Sequence, residues 1–180
     1  TAAYDTRLTE FDYDHRGRQV SRQLPEGVAA GNASFTERMV FSDTPLGSLG
    51  ATPQASVGLG QLKYAVDFEG RVTAYFYDNT AAGGGRLVRK DYFESETLYN
   101  GGAVVDRVSY VYDAFGRTLT TTQQFALNDP PNARTRVTTN VYDAESRLTR
   151  ITTPEGTINH EYHPVTGLPT RTYTGATSDA

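Results

Sequence analysis

The 180-residue chain has no cysteine, no tryptophan and one methionine. Without cysteine there is no disulfide, no thiolate metal site and no thiol nucleophile, and the redox compartment cannot be read from cysteine usage. Hydrophobic residues reach only 37%, below the roughly 45–50% (counted with glycine) of a typical globular domain. That leaves little material for a thick helical core. No apolar run approaches the ~18 residues that a membrane-spanning helix needs, so no such span is expected. The first residues lack the charged and apolar regions of a secretory signal. Net charge is −4, and all but two of the 17 basic residues are arginine. These arginines alternate with acids and do not cluster, so no nucleic-acid face is expected.

What the chain does have is tyrosine (12), phenylalanine (8) and many threonines. Aromatic and β-branched side chains suit a pleated, half-buried surface, and the whole chain is expected to be β. A hairpin signature recurs: Tyr13-Asp14-His15-Arg16-Gly17-Arg18, Tyr112-Asp113-Ala114-Phe115-Gly116-Arg117 and Tyr142-Asp143-Ala144-Glu145-Ser146-Arg147, with a degraded copy at Val66-Asp67-Phe68-Glu69-Gly70-Arg71. Asp-x-x-Gly is a type I turn in which the carboxylate accepts turn amides and glycine takes the left-handed conformation. The tyrosine before the turn and the arginine after it lie near the base of the hairpin, where ring and guanidinium could stack for about 0.5–1 kcal/mol.

A second turn, x-Pro-Glu-Gly, occurs at Pro25 to Gly27 and at Pro154 to Gly156, with proline suited to the second position. The same 129 positions separate Tyr13 from Tyr142, Asp14 from Asp143, Arg18 from Arg147, Pro25 from Pro154 and Gly27 from Gly156. Two distant units therefore share one internal spacing. Tyr142 to Tyr162 and Tyr92 to Tyr112 are each 20 residues apart, so one repeat is taken as two short strands and two turns. Repeats of this size form quasi-linear arrays in which each unit packs on its neighbours.

Strands are expected at 10–14, 18–24, 35–41, 61–68, 71–77, 86–93, 103–112, 117–126, 134–142, 147–153, 157–162 and 168–174. A loop-rich insertion occupies about 43–61, and no segment shows helical periodicity. No domain boundary is visible, so residues 1–180 read as one β region. The chain opens inside what looks like a repeat, Tyr4-Asp5-Thr6-Arg7-Leu8, and is expected to be a piece of a longer polypeptide. Twelve or so short strands could continue as a curved or spiralling open sheet, or close into a barrel or sandwich.

These hairpins resemble the YD repeats of bacterial RHS-repeat proteins, of the B and C components of Tc insecticidal toxins, and of teneurins. The resemblance covers most of the chain outside 43–61. It implies a wall segment of a hollow β-shell from a secreted or cell-surface, most simply bacterial, protein. Flanking YD repeats would be its immediate partners, and the shell would house a toxin domain or support an adhesion domain. The motif that ends toxin-type shells, with its self-cleaving aspartyl site, is only echoed by His163-Pro164-Val165-Thr166-Gly167-Leu168, which lacks the aspartate.

Other chemistry is thin. His160-Glu161-Tyr162-His163 spaces its histidines at i, i+3 in strand and turn context and is not a helical zinc pair. Asp12 and Asp14 lack the further oxygens that calcium requires. Gly83-Gly84-Gly85-Arg86 lacks the Lys-Ser/Thr of a phosphate loop, and no Gly-x-Ser-x-Gly elbow is present. Acids at repeat positions already have turn roles, so no catalytic residue, metal or cofactor is expected. The remaining candidate surface is aromatic: Tyr75, Tyr77, Tyr92 and Tyr110 could either hold the sheet together or present a row that grips a cell-surface glycan or a protein.

Overall fold

The computed structural model describes residues 8–25, 35–42 and 58–175. Twelve strands, β1 (Glu10–Tyr13), β2 (Gln19–Gln23), β3 (Thr36–Phe41), β4 (Leu62–Val66), β5 (Val72–Asp78), β6 (Arg86–Phe93), β7 (Asp106–Tyr112), β8 (Thr118–Phe125), β9 (Arg134–Tyr142), β10 (Leu148–Thr153), β11 (Gly156–Tyr162) and β12 (Pro169–Thr174), follow one another in space in chain order. All neighbours are antiparallel, and β1 and β12 form the two edges of a single open sheet. The closed barrel or sandwich is therefore not what the described strands form. The insertion at 43–57, the Gly27 end of the first Pro-Glu-Gly turn and the opening repeat before residue 8 lie outside the described residues.

Most strand residues are half-buried, as a single-layer sheet requires, while β1, most of β12 and the first half of β9 are exposed. The buried apolar core is small and local: Tyr64, Val66, Val72, Ala74, Phe93 and Tyr99. It exists because one short helix, α1 (Glu96–Asn100), lies over β4 to β6. The ring of Tyr99 meets Tyr64 at 5.0 Å and Phe93 edge-on at 5.2 Å, and Glu96 pairs with Arg38 of β3. This helix corrects the expectation of no helix. Five residues are too few to show a 3.6-residue period, and the signals present are local: Ser95 caps the Leu98 amide, and Gly101 closes the other end. A 3-10 turn, Pro130–Asn132, lies in the wide loop between β8 and β9.

The turns sort to two ends of the sheet, because successive antiparallel strands reverse direction. The turns of Asp14, Asp113, Asp143 and His163 follow odd-numbered strands and share one end. The Asp67 turn follows β4 and lies at the other end, with α1 and the Pro154–Glu155 turn. The degraded signature is thus out of phase with the other copies. Its spacing of 53 residues from Asp14 contains an odd number of strand reversals.

Candidate functional site: the turn end and the tyrosine face

Each Asp-x-x-Gly turn is built identically. Asp113 Oδ1 accepts the amides of Phe115 (2.9 Å) and Arg117 (3.0 Å), and its Oδ2 accepts Arg117 Nε at 2.6 Å. Asp14 does the same with Arg16 and Arg18, and Asp67 with Glu69 and Arg71. Asp143 holds Arg147 through its amide and Nε. Desolvation pushes these carboxyls up, but the guanidinium and amide hydrogen bonds outweigh it; Asp14 is held down at about 2, and Asp67, Asp113 and Asp143 below the usual range. Gly17, Gly70 and Gly116 take φ of 74°, 80° and 85°, and Ser146 is forced into the same region at 68°. In the last copy His163 replaces aspartate, and its Nδ1 accepts the amides of Val165 and Thr166.

Every odd-to-even hairpin carries an irregularity at the same place, just before the turn. The pairs there are Tyr13–Gln19, Phe41–Leu62, Tyr77–Leu87, Tyr112–Thr118, Tyr142–Leu148 and Tyr162–Pro169. The tyrosine hydroxyl then reaches the preceding hairpin. Tyr77 donates to the Leu62 carbonyl (3.0 Å), Tyr112 to Leu87 (2.7 Å), Tyr142 to Thr118 (3.1 Å) and Tyr162 to Leu148 (2.8 Å). In each case the acceptor is the partner of the previous aromatic residue. The in-phase predecessor of Tyr112 is accordingly Tyr77, not Tyr92, which sits towards the opposite end of β6.

The tyrosine–arginine stack also runs between repeats. Arg117 covers Tyr142 at 4.7 Å, Arg147 covers Tyr162 at 4.8 Å and Arg18 covers Phe41 at 4.1 Å. Stacking within one hairpin was the expectation for Tyr112–Arg117 and Tyr142–Arg147. It does not form there, because each arginine Nε is turned onto its own aspartate and the guanidinium plane extends over the next hairpin. Tyr13 belongs to the same column but is 60% exposed, since no described strand lies beyond β1.

Even-to-odd junctions keep one register throughout. The residue two places after each even-strand bulge partner pairs with the residue three places before the next odd-strand aromatic residue: Ser21–Arg38, Tyr64–Ala74, Arg89–Ser109, Thr120–Thr139 and Arg150–Asn159. The second Pro-Glu-Gly turn closes with Thr153 paired to Gly156, leaving Pro154 and Glu155 at its tip. Pro25 lies just past β2.

All four candidate ligand tyrosines share one sheet face. Tyr75 pairs with Lys90, Lys90 with Val108, and Tyr110 lies two residues beyond Val108 on β7. Tyr92 follows Lys90 by two on β6. Burial raises the Tyr92 phenol, with Tyr110, Tyr75 and Asp106 adding to it. The Lys90 ammonium lies 5.7 Å from the Tyr75 ring centre. Tyr77 follows Tyr75 by two on β5, since the extra residue of the irregularity is Val88 on β6, and its hydroxyl is committed to the Leu62 carbonyl. Sequence reasoning missed the lysines: the chain's only two, Lys63 and Lys90, are both in strands beside Tyr75, and their rarity was the available signal. It also missed Asp91, 2% exposed, which accepts Arg107 through Nε (2.7 Å) and Nη2 (3.0 Å). Its other neighbour, Arg89, lies at 3.3 Å and is stacked on Phe76. Asp12 accepts the Ser21 hydroxyl, and His160 contacts Thr172. No group of three metal-ligating side chains occurs among the described residues, and no helix is long and apolar enough to cross a membrane.

No family model and no curated protein matches the sequence. Among solved structures, the chain is similar to a crystal structure of TcdB2–TccC3 with Cdc42 (12% identity, TM-score 0.38, covering 94% of this chain and 10% of that one). A crystal structure of TcdB2–TccC3 matches at 13% identity and TM-score 0.37, covering 94% of this chain and 11% of that one. A Tc holotoxin pore of Photorhabdus luminescens with a mutation in TccC3 matches at 14% identity and TM-score 0.33, covering 92% and 10%. The chain thus spans about a tenth of the length of these chains. Superpositions this loose do not define a fold, which here rests on the sheet's own pairing.

Proposed function

We propose that this chain is a structural segment of an RHS/YD-repeat β-wall, part of a secreted or cell-surface shell that houses or presents a further domain. The supporting observation is the constant step from one hairpin to the next: one bulge position and one junction register throughout, with a tyrosine hydroxyl reaching across at four steps and an arginine at three. Such a step has no internal end, so strands can be added indefinitely without new design. The recurrent chemistry at the turn end is consumed in joining hairpins, and the reading assigns no reaction and no cofactor to it. Flanking repeats of the same polypeptide are the partners this implies. The test is the intact mass and end-to-end sequence of the native polypeptide that carries the chain. Hundreds of further residues in the same repeat are expected; a non-repetitive flank on both sides would refute the reading.

A second reading is an adhesion module that grips carbohydrate or protein. It is favoured by the gathering of Tyr75, Tyr92 and Tyr110 around Lys90. Titration with glycans, read by tyrosine fluorescence, tests it; a saturable change lost in Tyr92→Ala is expected, and no change refutes it.

A further inference from the structure

One of the chain's two lysines breaks the repeat. In each odd-to-even hairpin the even strand carries one extra residue beside the aromatic position. It is Val20, Val88, Leu119, Thr149 or Thr170 in five hairpins, and Lys63 in the sixth. A place filled elsewhere by aliphatic or threonine side chains thus holds an ammonium. Lys63 is 8% exposed, and no carboxylate pairs with it among the described residues. Burial holds its pKa below that of an ordinary lysine, with no acid to offset the effect. Tyr64 pairs with Ala74, so Lys63 lies one place on, beside Tyr75. Lys90 pairs with Tyr75 from the other side, its ammonium 5.7 Å from the ring centre, and it too meets no carboxylate among the described residues. Arg107, Arg117 and Arg147, by contrast, are each held by an aspartate.

We propose that Lys63, Tyr75 and Lys90 form, with Tyr92 and Tyr110, a site for an acidic sugar, its carboxylate set between the two ammonium groups and its ring laid on the tyrosines. The inference rests on the adhesion reading above and narrows its ligand to a carboxylate-bearing carbohydrate. Strands β4 and β6 are two spacings apart, about 9.6 Å, and each lysine carries a flexible four-carbon stem. Both heads can therefore reach one anion seated over the Tyr75 ring. A buried cation without a counter-ion is costly, and an incoming carboxylate removes that cost while making charge-assisted hydrogen bonds. Tyr75 and Tyr110 fill the same place in successive repeats, two residues before Tyr77 and Tyr112, and Tyr92 stands on the strand between them. Three rings from three adjacent strands thus offer apolar faces with polar tips, which suits a sugar. Asp106, the acid on this face, pairs opposite Tyr92 and holds the Ala126 amide through Oδ1, which leaves the Lys90 side positive. The site uses none of the side chains that join hairpins, so a wall segment can carry it.

The test is titration of the whole chain with a galacturonate trisaccharide and with its methyl ester, read by tyrosine fluorescence. The ester keeps the sugar rings and removes the charge. Saturable binding of the acid, roughly tenfold or more tighter than the ester, is expected. Lys63→Val installs the residue that two sister hairpins hold at this place, so the fold is kept, as far-UV circular dichroism should confirm. It should weaken binding of the acid roughly tenfold. It should also raise the urea midpoint of the unliganded protein, because an uncompensated buried cation is gone. Lys90→Met should weaken binding to a similar degree. Equal affinity for acid and ester would overturn the inference and leave the adhesion reading standing. Acid binding indifferent to both substitutions would overturn it by placing the ligand elsewhere. No response to either sugar would overturn it as well, with the adhesion reading then decided separately by neutral glycans.

Discussion

Removing one tyrosine hydroxyl at a time should separate the ladder's links by a margin the structure fixes in advance. Tyr112→Phe strips the 2.7 Å bond to the Leu87 carbonyl, and Tyr162→Phe the 2.8 Å bond to Leu148. No second side chain donates to either carbonyl among the described residues. The Thr118 carbonyl is different: it accepts Tyr142 at 3.1 Å and also Asn140 Nδ2 at 2.9 Å. A typical hydrogen bond contributes about 1 kcal/mol net, and a carbonyl left without a partner adds to the loss. Tyr112→Phe and Tyr162→Phe should therefore each cost about 1–1.5 kcal/mol, and Tyr142→Phe no more than about 0.5 kcal/mol. The rings and their arginine stacks are retained in all three. Strands β7 and β11 lie four spacings apart, about 19 Å at ~4.8 Å each, so the first two losses should add. Urea denaturation at constant m-value measures all of these, with melting temperature falling by about 2–4 °C per kcal/mol in a chain of this size. Equal costs at the three positions, or no cost at Tyr112 and Tyr162, would refute the claim that these hydroxyls join the repeats.

Acid should loosen the turn end as a group. The folded carboxyls of Asp14, Asp67, Asp113 and Asp143 titrate below their unfolded value, so the unfolded chain binds more protons, and their contribution is present above the unfolded value near 3.8 and is lost as pH falls through the folded one, about 2 for Asp14. Thermal melts between pH 5 and pH 2 should show a falling midpoint, and Asp14→Asn should flatten the profile. Asp91→Ala leaves Arg107 and Arg89 facing each other without their shared acid; since these arginines are 29% and 36% exposed, the cost should be about 2–3 kcal/mol, short of a fully buried pair. Replacing Asp91 and Arg107 together by leucine should recover most of that loss in the same denaturation assay. Ser146→Gly should stabilise by about 0.5–1 kcal/mol, because φ of 68° strains a residue with a Cβ; Gly116→Ala should do the reverse, as φ is 85° and the new Cβ meets Arg86 Nε at 3.0 Å.

The sequence was sufficient for local structure. Asp-x-x-Gly fixes a turn through its own carboxylate and glycine, and alternation fixes a strand, so all twelve strands were legible to within a few residues at each end. These interactions close within five residues, and no distant contact is needed to specify them. What lay beyond that range was decided by the tertiary structure. Whether the sheet closes depends on β1 and β12, about 160 residues apart in the chain. Strand reversals, invisible in the motif, sent the Asp67 turn to the far end. Arg18, Arg117 and Arg147 could each meet the tyrosine before their own turn or the aromatic ring of the next hairpin; the bulge and the pairing register select the second. The same register gathers Tyr75, Tyr77, Lys90, Tyr92 and Tyr110, drawn from three different strands, on one face.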